Sequence, residues 1–225
     1  EAIVLIAQQD FPAAWPTLID ELLAPLRLEE IQPCLHALRT VHHLTRRYRV
    51  EFRSDDLFRE INLVLQSLSP CLLELYRGLL QLAELRPAAQ RTQYWRGVLL
   101  LDKILLSLCS QDLPAHVEDH LAEYYRLWQA QLALAESATD ENLVKMVAVV
   151  GDIQTLFARR YQEDASAQIE AFAGQAAALL PRLVGQSEWE RASASLLTLL
   201  SSCGKTFDPA PLIGTVIMPS LRLSE

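Results

Sequence analysis

The amino-acid sequence predicts an all-α fold, and more narrowly a right-handed α-solenoid built from antiparallel helix pairs. The 225-residue chain is 51% hydrophobic, is dominated by Leu and Ala, and contains only 7 Gly, a composition that favours helices over strands. Apolar residues recur at the 3.6-residue spacing of an amphipathic helix, as in Leu57, Ile61, Val64, Leu65 and Leu68. No stretch alternates convincingly with period two, the pattern that would predict a strand.

Pro, Ser and Asp residues divide the chain into stretches that we predict to be helical. Ser54 lies before an acidic first turn, Asp112 and Pro114 lie before another, and Asp208 is followed by Pro209. Each pattern places a side chain where it can cap the unpaired amide groups at the start of a helix. The predicted helices are 11–27, 29–47, 54–85, 89–109, 114–136, 140–162, 164–183, 187–203 and 208–222.

The stretch Tyr94–Leu108 is apolar around most of its helical circumference. A helix tolerates such a surface only when neighbours cover it on two sides, so we expect an inner helix of a stack. Pairing successive helices produces units of about 40 to 55 residues, close to the roughly 40 to 47 residues of a HEAT repeat. Because the units share little sequence identity, a single compact helical bundle is the alternative on periodicity alone.

The charge balance argues against nucleic acid and anionic membranes as partners. The formal net charge is -8, so the summed field of the protein repels phosphate groups and favours basic partners.

The longest apolar stretch, Gly97–Leu108, is interrupted by Asp102 and Lys103 and is too short to span a bilayer. The first residues lack an initiator Met and the basic region of a signal peptide, so we expect the chain to start within a longer protein.

Four cysteines, Cys34, Cys71, Cys109 and Cys203, lie in apolar stretches without a CxxC motif or a Cys/His cluster. We interpret them as reduced thiols of the core, which are common in proteins of the cytosol and the nucleus. A reducing compartment is the corresponding expectation.

Three local signatures are more specific than the periodicity: DFPAAWPTLIDEL at Asp10–Leu22, the run Leu38–Leu65 with RRYRVEF at its centre, and SLCSQDLPAHVEDHL at Ser107–Leu121. The Phe-Pro-x-x-Trp-Pro start resembles repeats of the importin-β superfamily, where prolines preset a helix start and the aromatic residues can staple it to the previous unit. The RRYRVEF run and the Gln-Asp-Leu-Pro loop resemble, more narrowly, the CAS-type exportins, which re-export importin-α. Weaker similarity continues in the same order through Leu143–Asp164 and Val216–Glu225.

This resemblance implies one continuous HEAT-repeat segment over residues 1–225, about four to five repeats from the N-terminal half of a longer chain, with no separate second domain. It also implies partners: importin-α as cargo, the small GTPase Ran in its GTP form, and nuclear pore proteins. Such a protein shuttles between nucleus and cytoplasm, without membrane insertion or nucleic-acid binding. Two alternatives stay open, namely another karyopherin (an importin or a different exportin) and a HEAT-repeat scaffold that ignores Ran.

Five arginines form the one local reversal of charge sign in this acidic chain. We predict that they contact a partner, because the planar guanidinium suits carboxylates and an acidic patch on Ran or importin-α would attract them. The alternative is a local role, in which they favour the helix dipole and pair with Glu51, Asp55 and Asp56. The five residues are Arg39, Arg46, Arg47, Arg49 and Arg53.

The sequence predicts no enzyme, and therefore no catalytic, cofactor-binding or metal-binding residues. No nucleophile motif occurs, and Gly204–Thr206 lacks the upstream glycine of a phosphate-binding loop. His116 and His120 stand four residues apart and could face one metal on a shared helix, but a third ligand is missing, so we interpret them as a solvated helix face. His42 and His43 are expected to pack at a seam between helices.

Overall fold

The computed structural model describes residues 5–6, 9–24, 26–28, 30–135 and 140–203 of the chain. All regular secondary structure in these ranges is helical, which confirms the predicted all-α class. None of the helices described there is long and apolar enough to cross a membrane. The α-helices are α1 (Leu18–Leu23), α2 (Ile31–Thr45), α3 (Asp55–Leu85), α4 (Ala88–Leu108), α5 (Ala115–Asp119), α6 (Leu121–Leu134), α7 (Glu141–Arg160), α8 (Gln162–Leu183) and α9 (Glu190–Ser202), and 3-10 helices lie at Arg46–Arg49 and Ser187–Trp189.

The helices group into two compact units, residues 1–119 with α1 to α5 and residues 120–225 with α6 to α9. In the first unit, α1 packs on α3, α2 packs on α4, and α3 also packs on α4. This unit therefore has a first layer of α1 and α3 and a second layer of α2 and α4. Stacked helix pairs of a solenoid pack in the same way, each pair against its neighbour.

Helix α4 is buried on nearly all sides, as the sequence predicts for an inner helix. Helices α2 and α3 and the 3-10 helix at Arg46–Arg49 all contact it. Its residues Tyr94, Val98 and Leu101 are at most 4% exposed. Its single acidic residue, Asp102, is fully buried and accepts a hydrogen bond from the Tyr76 hydroxyl of α3. The apolar stretch is thus explained by the two neighbours that cover it.

The second unit repeats this arrangement. Helix α6 packs on α8, α7 packs on α9, and α8 contacts both α7 and α9. Its core contains an aromatic cluster of Tyr125, Trp128, Phe157 and Tyr161, whose ring centroids lie 5.2 to 6.2 Å apart in edge-to-face arrangements. Tyr161 is also the single residue between α7 and α8, so the cluster lies against that junction.

The first predicted helix, 11–27, is wrong at both ends, since only Leu18–Leu23 is helical among its described residues. Residues 11–17 form turns, and α1 begins only at Leu18. The two prolines of this stretch disfavour helical backbone at the residues that precede them. The Asp10 carbonyl instead accepts hydrogen bonds from the amides of Ala14 (2.7 Å) and Trp15 (3.0 Å), which closes a turn before the helix.

Other boundaries differ less. The predicted helix 114–136 is divided at His120 into α5 and α6, so His116 and His120 do not share one continuous helix. The predicted helix 29–47 ends at Thr45 and continues as the 3-10 helix to Arg49. Ala165, near the start of α8, has non-helical backbone angles that mark a kink. The predicted helix 208–222 lies outside the described residues.

Of the three predicted helix caps, one is observed, one is not, and one lies outside the described residues. Ser54 caps α3, because its hydroxyl accepts the Leu57 amide at 3.1 Å. Asp112 is not a cap: its carboxylate accepts the amide of the next residue, Leu113, which precedes the helix. Asp208 lies outside the described residues.

None of the four cysteines forms a disulfide, as predicted, and three of them are buried. Burial raises the pKa of the Cys34 thiol to about 11 and that of Cys109 to about 12. Cys203 is also buried, whereas Cys71 is half-buried.

Two helical glycines of the second unit should respond in opposite directions to replacement by alanine. A Cβ at Gly151 of α7 would lie 3.0 Å from Ser195 Cβ and 3.3 Å from the Ser195 backbone of α9, while a Cβ at Gly174 of α8 would meet nothing within 4 Å. Overpacking a core costs about 1 to 3 kcal/mol, and an exposed helical Gly→Ala change returns up to about 1 kcal/mol. We therefore expect Gly151→Ala to lower and Gly174→Ala to raise the free energy of unfolding in urea. Shifts of the same sign would contradict the close packing of α7 on α9.

Candidate protein-binding face

The second layer of the first unit exposes only basic charge. Helix α2 contains no acidic residue, and the one acid of α4 is buried. The two helices run side by side: the side chains of Gln32 and Gln93 are hydrogen-bonded at 2.9 Å near one end, and Arg49 reaches α4 near the other. We name this surface the basic face. Its exposed and half-exposed basic side chains include His36, Arg39, His43, Arg46, Arg49, Arg96 and Lys103.

The other exposed layers are different in charge. The first layer carries acids, among them Asp20 and Glu21 on α1 and Asp55 and Asp56 on α3. In the second unit, the charges of α7 and α9 are mixed and paired, as in Lys145–Glu141 and Arg191–Asp152. The basic face is thus a local feature of a chain whose net charge is -8. A surface of one sign attracts partners of the opposite sign and speeds their association.

The structure separates the five arginines that the sequence groups together. Arg47 is directed inward: it forms an ion pair with Glu60, which is 7% exposed, and another with Glu51 at 3.4 Å. The same Glu60 oxygen accepts a hydrogen bond from the fully buried Tyr48 hydroxyl at 2.7 Å. Removing the Arg47 charge would leave Glu60 as a buried carboxylate without its cation, so the role of Arg47 is structural.

Arg49 and Arg53 are exposed but also bind the chain itself. Arg49 donates from Nε to Ser107 Oγ at 2.9 Å and from Nη2 to the Lys103 carbonyl at 2.7 Å. Arg53 donates to the Gln111 carbonyl. These contacts hold the turn after α2 against α4 and the loop that follows it.

Arg39 and Arg46 are the two predicted residues that project from the basic face. Arg46 is exposed and Arg39 half-exposed, and neither side chain forms a hydrogen bond or ion pair with another described residue. The predicted pairing of the cluster with Asp55 and Asp56 is not observed among the described residues; Asp56 pairs with Arg59 instead, at 3.0 Å. That the five arginines contact a partner stays a prediction.

Gln111 fixes the turn that carries this cluster. It is 6% exposed, and its side-chain amide donates to the carbonyls of both Tyr48 and Glu51. Its own carbonyl accepts from Arg53. One residue of the loop after α4 therefore holds both ends of the segment 48–53. Sequence reasoning did not identify Gln111, because its partners lie about sixty residues away and no local pattern marks them.

Burial and nearby cations keep His42 and His43 of α2 neutral. Burial is the main cause that lowers the pKa of His42 to about 4, and Lys103, Arg49, His43 and Arg46 lower it further. Burial and neighbouring arginines likewise lower the pKa of His43. These surroundings agree with the predicted seam between helices. The arginines and Lys103 supply positive charge to the basic face near neutral pH.

Two surface cavities are lined by other parts of the chain. One, of about 350 Å³, is lined by α3 and the loop 111–116 in the first unit. The other, of about 470 Å³, is lined by residues 184–197 in the second unit. The first is lined mainly by apolar and uncharged side chains, together with Asp112 and His116, and the lining of the second contains one acid, Glu190. Within the described ranges, no group of three His, Cys, Asp or Glu side chains is arranged to hold a metal ion.

The helices are paired in two layers, and one layer carries a broad surface of a single charge sign. These features define a class: a helical-repeat protein with a candidate protein-binding face. The family follows from direct comparison. The family model described as Cse1 matches residues 44–209, well over half of the chain, so the chain belongs to the Cse1 family.

The relatives of this chain are exportins, which are nuclear transport receptors. Exportin-2 of Drosophila melanogaster is 30% identical over 210 residues, covering 89% of this chain and 22% of its own length. Exportin-2 of Homo sapiens is 28% identical over 173 residues, covering 73% of this chain and 18% of its own length. The chain thus spans about a fifth of the length of these relatives.

A solved structure agrees on the fold. The exportin Cse1 in its cargo-free, cytoplasmic state matches 98% of this chain and 26% of its own length, with a TM-score of 0.87 at 24% sequence identity. The all-α solenoid class predicted from the sequence is therefore confirmed.

Replacing Gln111 by Ala should destabilise the protein. The change removes the donors to the Tyr48 and Glu51 carbonyls, and an unsatisfied buried polar group costs about 1 to 3 kcal/mol. We expect a loss of that size in the free energy of unfolding in urea. Gln93→Ala is the matched control, because the Gln93–Gln32 hydrogen bond is exposed and its loss should cost less than about 0.5 kcal/mol. Equal losses in the two variants would contradict the role of Gln111.

His42 should make stability depend on pH. Its folded pKa of about 4 lies below the usual value of 6.5, so the unfolded chain takes up the proton first as the pH falls. The stability that the neutral, buried His42 contributes is fully present above pH 6.5 and is lost as the pH falls from 6.5 towards 4. The Tm of a His42→Leu variant should therefore fall less than that of the wild type across this range. Parallel Tm curves for the two proteins would contradict the burial of a neutral His42.

Proposed function

We propose that this chain is part of an exportin that returns importin-α from the nucleus to the cytoplasm together with RanGTP. The observation that carries the proposal is the match of residues 44–209 to the Cse1 family, together with the Exportin-2 relatives. A protein with this role shuttles between the two compartments and acts by binding other proteins. Its partners are Ran in the GTP form, importin-α and, during passage, nuclear pore proteins. We further propose that the two compact units are consecutive parts of one repeat array.

The basic face supports a partner with an acidic surface. Its layer contains no exposed acid, so an acidic patch on Ran or importin-α would meet no repulsion there. Arg39 and Arg46 are the contacts that we favour, because they project from the layer. Arg49 and Arg53 join them at the edge, while Arg47 holds the turn.

A solenoid also supplies a mechanism for switching. Each repeat contacts only its neighbours, so small rotations between repeats add to a large change in pitch. The exportin Cse1 has a cargo-free, cytoplasmic state. We propose that this protein likewise has a cargo-free form, and that RanGTP shifts the population towards a cargo-binding form because it binds that form more tightly.

The first experiment titrates importin-α into the protein at its full natural length, with RanGTP, with RanGDP and without Ran. For an exportin, RanGTP should tighten importin-α binding by about 5- to 150-fold, the usual range of coupling between two sites. An importin would lose cargo on addition of RanGTP, and a scaffold without Ran dependence would show no change. Either of these outcomes would overturn the proposal.

The same titration tests the basic face. A double variant, Arg39→Glu with Arg46→Glu, should slow association of the export complex by about 10-fold at low salt, because it reverses the attracting charge. The control is Arg59→Glu with Arg77→Glu, which changes the net charge equally but on the first layer, where both arginines form exposed pairs on α3. Equal association rates for the two double variants would contradict a role of the basic face.

A further inference from the structure

One segment of the first unit lies on the surface and is held there by polar groups. We name residues 49–53 the strap: they begin at the last residue of the 3-10 helix and end before Ser54, which caps α3. None of the five is buried, and the two apolar ones, Val50 and Phe52, are 83% and 95% exposed. The strap therefore contributes little apolar packing, and segments with few buried apolar contacts open most readily.

Hydrogen bonds fasten the strap to α4 and to the loop after it. The Gln111 side-chain amide donates to the Glu51 carbonyl at 3.0 Å, and Arg53 donates to the Gln111 carbonyl. Arg49 donates to the Lys103 carbonyl at 2.7 Å. Each such bond stabilises the closed position only modestly, because water replaces the lost partner when the segment opens.

The chain on either side of the strap is anchored more firmly. Tyr48, just before it, is fully buried, and its hydroxyl donates to Glu60 of α3 at 2.7 Å. Just after it, the Ser54 hydroxyl accepts the amide of Leu57, which is 4% exposed, at 3.1 Å. The strap can thus move between two points that stay in place.

We propose that the strap opens and closes as one unit while the core of the first unit stays folded. Opening breaks a few hydrogen bonds and exposes almost no new apolar surface, so it costs much less than global unfolding. It also releases the guanidinium groups of Arg49 and Arg53 from the carbonyls that hold them.

The open strap would change the edge of the basic face. A guanidinium group binds a carboxylate more strongly than it binds a neutral carbonyl. In the open form, Arg49 and Arg53 can therefore turn outward beside Arg46 and offer more donors to an acidic surface. The opening is a property of this chain alone, and only its use in binding rests on the proposed function.

Site-resolved hydrogen exchange tests the strap in the protein at its full natural length, without partners. The amides to follow are those of Val50 and Glu51, which donate to the Arg47 carbonyl at 3.0 and 3.1 Å in the closed form. Their exchange should be faster than that of the amides in the buried part of α4. It should hardly change in urea below the unfolding transition, because opening exposes little surface, whereas exchange in α4 should rise steeply.

Two variants of exposed arginines make the test specific. Arg53→Ala removes one bond that fastens the strap, so exchange of the Val50 and Glu51 amides should become about 2- to 10-fold faster. Arg59→Ala is the matched control, because Arg59 is exposed and pairs with Asp56 at 3.0 Å on α3, outside the strap. It should leave these rates unchanged, and neither variant should alter exchange in α4.

The outcomes separate the strap from the proposed function. Equal rates in Arg53→Ala and Arg59→Ala would overturn the strap, because its opening would not depend on the fastening bonds. A rise with urea as steep as that of α4 would also overturn it, because the segment would then open only with the core. Either result leaves the exportin role standing, since Ran and importin-α are absent from the experiment. Failure of the importin-α titration would overturn that role and leave the strap in place.

Discussion

The burial of α4 between α2 and α3 is the constraint on which the rest of the first unit depends. Because most side chains of α4 from Tyr94 onwards face a neighbour, that part of the helix can expose only a narrow strip, where Arg96 and Lys103 lie. That strip lies beside the exposed edge of α2, which has no acidic residue. The packing that builds the core therefore also gathers positive charge into one layer, and its one acid, Asp102, is kept inside by the Tyr76 hydroxyl.

The sequence predicts the fold well wherever the decisive signals are local. The sequence predicts α3 as 54–85, and the structure has it as Asp55–Leu85. The two agree because local residues mark both ends: Ser54 caps the start, and Arg86 and Pro87 follow the end. The division at His120 has no such signal, since apolar spacing continues across it. A TM-score of 0.87 at 24% identity shows the same principle, because the fold requires the apolar pattern more than the individual side chains.

The candidate site could be predicted only in part. The arginine cluster is contiguous in sequence, so composition alone located it. Composition could not separate Arg46 from Arg47, because their difference depends on which of them faces Glu60. Gln111 and the alignment of α2 with α4 were beyond reach for the same reason: each joins segments about sixty residues apart, and that pairing is decided by packing.

The junction at Tyr161 has a mechanical consequence. A single residue joins α7 to α8, and its ring packs on Phe157 with centroids 5.3 Å apart. The backbone leaves helical geometry at Tyr161 and again at Ala165, the kink near the start of α8, so these few residues set the angle between α7 and α8. A change in that angle would have to displace the Tyr161 ring, which is 8% exposed, from its place beside Phe157 in the aromatic cluster. The packing of the core and the angle between these two helices are therefore coupled.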